Sequence, residues 1–266
     1  MTRVALIDGD TFIFAATAAN EYETQWDDWL WTLHADFDAC AEHFNRSLEG
    51  VLNDLQADSV IVAITDTANW RKSIMATYKH ARVKTRKPVC YKAMREYVAE
   101  KYVVYQRPGL EGDDILGILA THPHLVKADE KIIVSLDKDM QTIPGDLCNY
   151  GAVQKARKDN PTLSFIESVR TVTSAEADHY HLMQTLTGDT TDGYPGCPGI
   201  GPVKAEKILG DLTGADAWAA IVTAYEKAGL SEDVALMNAQ VARICRHTEY
   251  DFKKAEVIPW QPERMK

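Results

Sequence analysis

The 266-residue chain is poor in cysteine, and its five, Cys40, Cys90, Cys148, Cys197 and Cys245, form no C-x-x-C pair. An odd number without paired spacing supports neither a disulfide frame nor a thiolate zinc cage, and it suits a reducing cytoplasm. No apolar run approaches the roughly 18 residues of a membrane span, and the N-terminus enters a strand without a signal-peptide pattern, so no membrane partner is expected. Internal repeats and low-complexity tracts are missing too. What is present is 45% apolar residues, enough for one large domain or two modest ones whose core needs no staples.

Lysine and arginine are outnumbered by acids, and the net charge of −10 argues at first against a polyanionic partner. The distribution says more. Between Arg71 and Arg107 stand eleven basic residues against only Glu96 and Glu100. A run of this kind is either a solvated face or a binding surface.

Short apolar runs read as strands at Val4 to Ile7, Val60 to Ile64, Val103 to Tyr105, Lys131 to Ser135 and, more weakly, Leu147 to Tyr150. Helical spacing lies between them, most clearly from Asp36 to Leu55 and again from Asp113 to Thr121. Alternation of this kind predicts an α/β fold with a mostly parallel sheet and helices on both faces. Such sheets gather their sites at the carboxyl ends of strands. Acids fall there: Asp8 closes the first strand, Asp66 follows the second, Glu111, Asp113 and Asp114 follow the third, and Asp137 and Asp139 the fourth.

From about residue 155 helices replace strands. Thr173 and Glu176 have capping-box spacing and open a helix through Leu186, with Gly188 as its stop. The expected division is therefore an acid-rich α/β domain over 1–155 and a helical subdomain over 156–266. Within the latter, Pro198-Gly199-Ile200-Gly201 and then Pro202 form a hairpin whose free amides and helix N-terminus seat a phosphate, with Lys204 and Lys207 beside it. P-G-I-G-x-x-x-A is a helix-hairpin-helix pattern, placed here at about 178–210, that contacts DNA backbone without sequence preference. Hairpins of this kind also hold K⁺ on backbone carbonyls.

The opening acids, Asp8-Gly9-Asp10-Thr11, allow three readings. D-x-D-x-T occurs in haloacid-dehalogenase phosphatases, where the first Asp is the nucleophile. Asp8 also suits a divalent-cation ligand, and an Asp-Gly turn with a helix cap is the plain structural alternative. The other acids favour metal, because carboxylates brought together resist joint ionisation unless cations sit among them. Hard oxygen donors select Mg²⁺ or Mn²⁺, and two ions roughly 4 Å apart activate water and stabilise the leaving oxygen in phosphodiester cleavage. Taking Asp8, Asp66, Glu111, Asp113, Asp137, Asp139, Asp189 and Asp192 as site acids, removal of eight charges from −10 leaves −2. A near-neutral remainder with one basic segment binds nucleic acid through that segment. Arg71, Lys79 and Arg82 follow Asp66 closely enough to hold a scissile phosphate, and the interleaved Trp70 and Tyr78 offer either stacking surfaces for an unpaired base or ordinary core packing. Lys72, Lys84, Arg86 and Lys87 complete the expected DNA contacts.

LIDGD, AITDTANWRKSIMATYKHAR, LEGDDILG, SLDKDMQTI and GDTTDGYPGCPGIGPVKAEKIL occur in an order that resembles the 5′-nuclease family, which includes the flap endonucleases and the 5′-to-3′ exonuclease domains of bacterial DNA polymerase I. The likeness is greatest to the stand-alone 5′-to-3′ exonucleases of short-tailed bacteriophages, and it spans roughly residues 3 to 210. It implies a PIN-like fold, one metal among Asp8, Asp66, Glu111 and Asp113, and a second among Asp137, Asp139, Asp189 and Asp192. Arg71, Lys79 and Arg82 match phosphate-handling positions. The segment 71–107 would form an arch or clamp over a single-stranded 5′ end. The implied activity removes nucleotides from duplex 5′ ends, cuts 5′ flaps and degrades RNA in RNA–DNA hybrids, in a monomer working beside replication proteins in the host cytoplasm. Two departures stand out: relatives often carry Asn or Ser at Asp10, and the arch segment is short, leaving threading and clamping both open. The rival readings are the phosphatase, which also carries a late G-D-x-x-D pair, and a catalytically silent DNA-end-binding module.

Overall fold

The computed structural model describes residues 1–160 and 162–263, so Pro161 and the last three residues of the expected helical half lie outside the described residues. In chain order the elements are β1 (Arg3–Asp8), α1 (Gly9–Ala19), β2 (Glu21–Gln25), β3 (Trp31–Ala35), α2 (Phe37–Leu55), β4 (Ser59–Ala63), α3 (Arg71–Ile74), α4 (Tyr91–Lys101), β5 (Val104–Tyr105) and α5 (Gly112–Thr121). There follow β6 (Glu130–Ser135), β7 (Gly145–Asn149), α6 (Tyr150–Ala156), β8 (Arg170–Val172), α7 (Ser174–Thr187), α8 (Pro202–Leu209), α9 (Gly214–Lys227), α10 (Glu232–Ala242), β9 (Tyr250–Asp251) and β10 (Glu256–Val257).

β1 is central because its residues are apolar on both faces. Ala5 and Ile7 bury against α2 and α4 through Phe44, Leu48 and Met94, whereas Val4 and Leu6 bury against α5 through Ile115 and Leu119. The sheet order is β5-β4-β1-β6-β7-β8, parallel except for β8. From β1 the chain runs out through β4 and β5, then returns to β6 on the other side of β1. The strand order therefore reverses at β1, which places a crevice at its carboxyl end. The expected parallel α/β sheet is present, and all five anticipated strands belong to it.

Helices alone after about residue 155 is an expectation that the structure corrects. β8 pairs antiparallel with the β7 edge, Val172 opposite Gly145, and Ile244, Cys245 and Tyr250 return to the α5 side of the sheet. A three-residue strand is too short to show a period, so its pairing comes from the edge it meets. The helical unit has its own core, where Leu186, Leu209, Trp218, Ile221 and Tyr225 pack together, and α7 links the two by burying Ala177 against the sheet and Leu186 against the helices. The β2–β3 hairpin was not anticipated. Its residues show no consistent buried face, and Trp29 at the turn is 94% exposed.

α5 carries two of the acids and must sit close to the returning chain. A Cβ at Gly117 would come within 2.3 Å of the Cys245 carbonyl oxygen, so α5 reaches that contact only with glycine. Gly50, exposed on α2, has nothing within 4 Å of a built Cβ. Gly117→Ala is therefore expected to lose roughly 1–3 kcal/mol, while Gly50→Ala gains roughly 0.5–1 kcal/mol. Urea denaturation of both variants checks this, and equal stabilities would contradict the packing argument.

Candidate active site

The end of β1 turns at once into α1, and Asp8 is the cap: its carboxylate accepts from the Thr11 N–H at 3.2 Å and the Thr11 hydroxyl at 2.6 Å. Ser135, at the end of β6, donates to the same side chain at 2.9 Å. Asp8 thus serves as both structural cap and buried acid. Burial, and then Asp10, raise its carboxyl above the usual range despite these hydrogen bonds. Asp113 rises further, first through burial and then through the charges of Asp8, Glu111 and Asp137. Asp139 is pushed up to about 7 by burial and by Asp137.

The remaining acids are held by cations or amides. Glu111 accepts from Lys79 Nζ at 2.6 Å and Arg71 at 3.0 Å, and although burial pulls its carboxyl upward, these two cations bring it below its usual value. Asp192 accepts from Arg82 at 2.7 Å and Tyr78 at 3.0 Å, with Lys79 at 3.5 Å. Asp66 accepts from the Gly109 N–H at 2.8 Å, and that bond lowers its pKa. Asp189 accepts from the Thr191 N–H at 2.7 Å and lies 3.7 Å from Lys138. One cavity of about 360 Å³ is lined by Asp8, Asp66, Glu111, Asp113 and Asp137 together with Lys79 and Arg82. A narrower recess shares Glu111 and Asp113 with it and adds Asp139 and Asp192.

Among the described residues no three Asp, Glu, His or Cys side chains converge tightly enough to make a ready ion cage. Glu111 and Asp192 are bonded instead to Lys79, Arg71 and Arg82, and Asp66 and Asp189 to backbone amides. The donor set nevertheless fits hard divalent cations: Asp8, Asp113 and Asp139 are raised by burial and by neighbouring carboxylates, and Asp139 Oδ1 is buried with no hydrogen-bond partner.

Two expected phosphate or base contacts, Arg71 and Tyr78, are corrected, and a third, Trp70, is partly packed. Arg71 is 2% exposed, and all five of its N–H groups are committed, to Val241 O, Arg243 O, Glu111 and, twice, Asp114. Tyr78 is also buried, its hydroxyl donating toward Glu111 and Asp192, so it is no stacking platform. Trp70 is half-buried, gives its N–H to Asp114 at 2.9 Å and has the Arg71 guanidinium over its ring at 4.6 Å. Charge and aromatic spacing cannot separate a buried ion pair from a phosphate clamp, and here the low exposure decides. Asp114, named with the strand-end acids but given no role, has the spacing of a capping box from Glu111 and accepts the Glu111 N–H at 3.2 Å.

Lys79 and Arg82 do border the cavity, and Lys72, Lys84, Arg86 and Lys87 are exposed. The hairpin between α7 and α8 has Gly199 at φ +73°, the left-handed region, and Pro202 opens α8. Gly201, Lys204 and Lys207 are exposed there, and Ile200 is half-buried against the helical core. Lys204 Nζ donates to Gly199 O at 2.8 Å, which ties the first turn of α8 back to the hairpin.

Residues 3–163 match the family model described as 5′-3′ exonuclease, N-terminal resolvase-like domain. The chain is 31% identical to the exodeoxyribonuclease of Enterobacteria phage T3 and 30% identical to the exonuclease of Escherichia phage T7, each over 97% of this chain and 93% of the relative. It is 27% identical to flap endonuclease Xni of Shewanella pealeana, over 79% of this chain and 76% of that protein. In fold it resembles the bacteriophage T5 flap endonuclease crystallised as a pseudo-enzyme-product complex with DNA and metal ions, at a TM-score of 0.57 and 14% identity over 90% of this chain and 88% of that one.

The raised acids carry a stability consequence whose sign follows from linkage. Asp139 binds its proton more tightly folded than unfolded, so its contribution favours the fold at acid pH and is lost as pH rises from about 4 to about 7. In chelator-containing buffer, Asp139→Asn, which cannot ionise, should flatten that decline. At neutral pH it should be more stable than the unaltered chain by roughly 1–2 kcal/mol after solvent screening. Denaturation curves across this range check it, and a variant less stable at neutral pH would contradict the reading.

Proposed function

The chain belongs to the 5′-3′ exonuclease family, and from that membership we propose that it hydrolyses phosphodiester bonds at DNA 5′ ends and 5′ flaps, using two divalent ions. The observation that carries this reading is one cleft in which Asp8, Glu111, Asp113 and Asp137, delivered by successive strand ends, face Lys79 and Arg82. Family membership displaces the phosphatase reading, and no observation favours a silent binding module.

One ion would lie among Asp8, Asp66, Glu111 and Asp113, and the other among Asp137, Asp139, Asp189 and Asp192. When bound, Mg²⁺ or Mn²⁺ supplies an activated water and neutralises charge on the leaving oxygen. The chain's own groups do the rest. Lys79 stands at φ +52° with its N–H on the Asp192 carbonyl at 2.7 Å, which turns its ammonium inward over Glu111. An ammonium so placed offers charge to the scissile phosphate as negative charge develops. Arg82, half exposed, exchanges Asp192 for a phosphate oxygen. Ser135 and Thr11 hold Asp8 in a single orientation.

Lys72, Lys84, Arg86 and Lys87 lead the 5′ strand toward the cleft, and Gly199 to Gly201 with Lys204 and Lys207 grip the duplex backbone. RNA–DNA hybrids are accepted on the same backbone contacts. The working form is a monomer in the host cytoplasm, acting alongside replication proteins.

The test is product analysis on 5′-labelled duplex, 5′-flap and RNA–DNA hybrid substrates with Mg²⁺. Asp113→Ala and Asp139→Ala should each lower cleavage by about a thousandfold or more while DNA binding persists. Turnover undiminished in both variants would defeat the mechanism. Lys204→Ala should weaken duplex binding equally across sequences and make the log–log salt slope shallower by about 1. A loss confined to particular sequences would count against a backbone contact.

A further inference from the structure

The basic limb beyond the cleft is held down along α1. This helix has a carboxylate near each end, Asp10 in its first turn and Glu21 just past its last. Glu21 accepts from both terminal nitrogens of Arg86 and from the Val89 N–H. Asp10 Oδ1 accepts from the Tyr91 hydroxyl at 2.7 Å and Arg95 Nη1 at 2.9 Å, and Oδ2 accepts from the Thr65 N–H at 2.7 Å. Arg95 Nη2 donates to Thr65 O at 2.6 Å, so carboxylate and guanidinium close a ring around one residue at the end of β4. The Thr65 hydroxyl accepts from the Gly112 N–H at 2.9 Å, at the start of the helix that carries Asp113. Lys87 projects into the same cavity, its ammonium 4.5 Å from the Tyr91 ring centroid.

We propose that Asp10 is a positioning residue: it latches α4, and with it the basic limb that carries Arg86 and Lys87, to the end of β4 beside the acid cleft, and it ligates no metal. Unlike Asp8, which is held by hydroxyls and an amide, Asp10 is paired with a cation, and turning toward an ion would leave Arg95 without its carboxylate. The two pins differ in accessibility. Arg86 is 56% exposed and can exchange Glu21 for phosphate, whereas Arg95 is 25% exposed and stays closed on Asp10. The limb is thereby held at one end and adjustable at the other, which suits clamping of a 5′ strand. This inference rests on the nuclease reading and adds what fixes its DNA-facing limb.

Asp10→Asn keeps the side chain's size and removes the charge paired with Arg95. In the full chain with Mg²⁺, KM for 5′-labelled duplex should rise about five- to tenfold while kcat and the half-maximal Mg²⁺ concentration stay within about twofold. Arg95→Gln should give the same split, and the double variant should be no worse than either, as expected for two members of one pair. Without DNA or metal, amide hydrogens of Tyr91–Lys101 should exchange faster in Asp10→Asn than in the unaltered chain. A Mg²⁺ requirement raised about tenfold with a fall in kcat would make Asp10 a ligand and overturn the latch. Unchanged exchange in α4 would overturn it too. If the unaltered chain cleaves no DNA, the nuclease reading fails by itself, because the exchange measurement needs no turnover.

Discussion

One buried guanidinium holds the site and the fold together. Arg71 joins α3, where it sits, to Glu111 and Asp114 of the α5 start and to the Val241 and Arg243 carbonyls at the end of α10. Taking this charge out of water is costly, and only a complete set of partners offsets the cost. Asp114 completes its own set with the Trp70 and Cys245 N–H groups. Loss of Arg71 would strand Asp114, fully buried, without a counter-charge. The pair therefore specifies how the C-terminal helices meet the sheet, and it fixes the backbone from which Glu111 and Asp113 project.

Around that fixed pair the acid cleft is under electrostatic tension. Asp8, Asp113 and Asp139 are held up by burial and by neighbouring carboxylates, whereas Glu111 and Asp192 are drawn onto Lys79, Arg82 and Tyr78. Such an arrangement sacrifices stability for a poised set of hard oxygen donors, as functional sites commonly do. The cations that quiet the acids here are also the groups a phosphate would meet first. Binding a polyanion then exchanges one set of charge pairs for another and creates no isolated charge.

Much of the architecture was legible because it is written in local periods. The apolar runs behind β1, β4 and β6, the helical spacing of α2, the Thr173–Glu176 capping box and the Pro202 start of α8 each depend on residues a few positions apart. The position of the acids followed from one topological rule, that parallel strands present their carboxyl ends on one rim. β8 and the β2–β3 hairpin escaped notice for opposite reasons: the first is too short to carry a pattern, and the second exposes apolar residues that a half-buried strand would hide.

By itself, the amino-acid order determined that this chain builds a parallel α/β sheet with carboxylates at successive strand ends, a basic stretch after the second of them and a glycine-rich hairpin before α8 further on. It did so because strand burial, helix capping and turn geometry are short-range. Which charges meet was decided only in three dimensions. Arg71 and Lys79 lie eight positions apart in one basic run, yet one is sealed into an ion pair with Asp114 and the other faces the cleft. Asp8 and Asp10 are separated by a single glycine, yet one points among the acids and the other to Arg95. Burial sets the cost of each charge, and burial depends on segments far away in sequence, such as Val241 to Cys245 for Arg71 and α4 for Asp10.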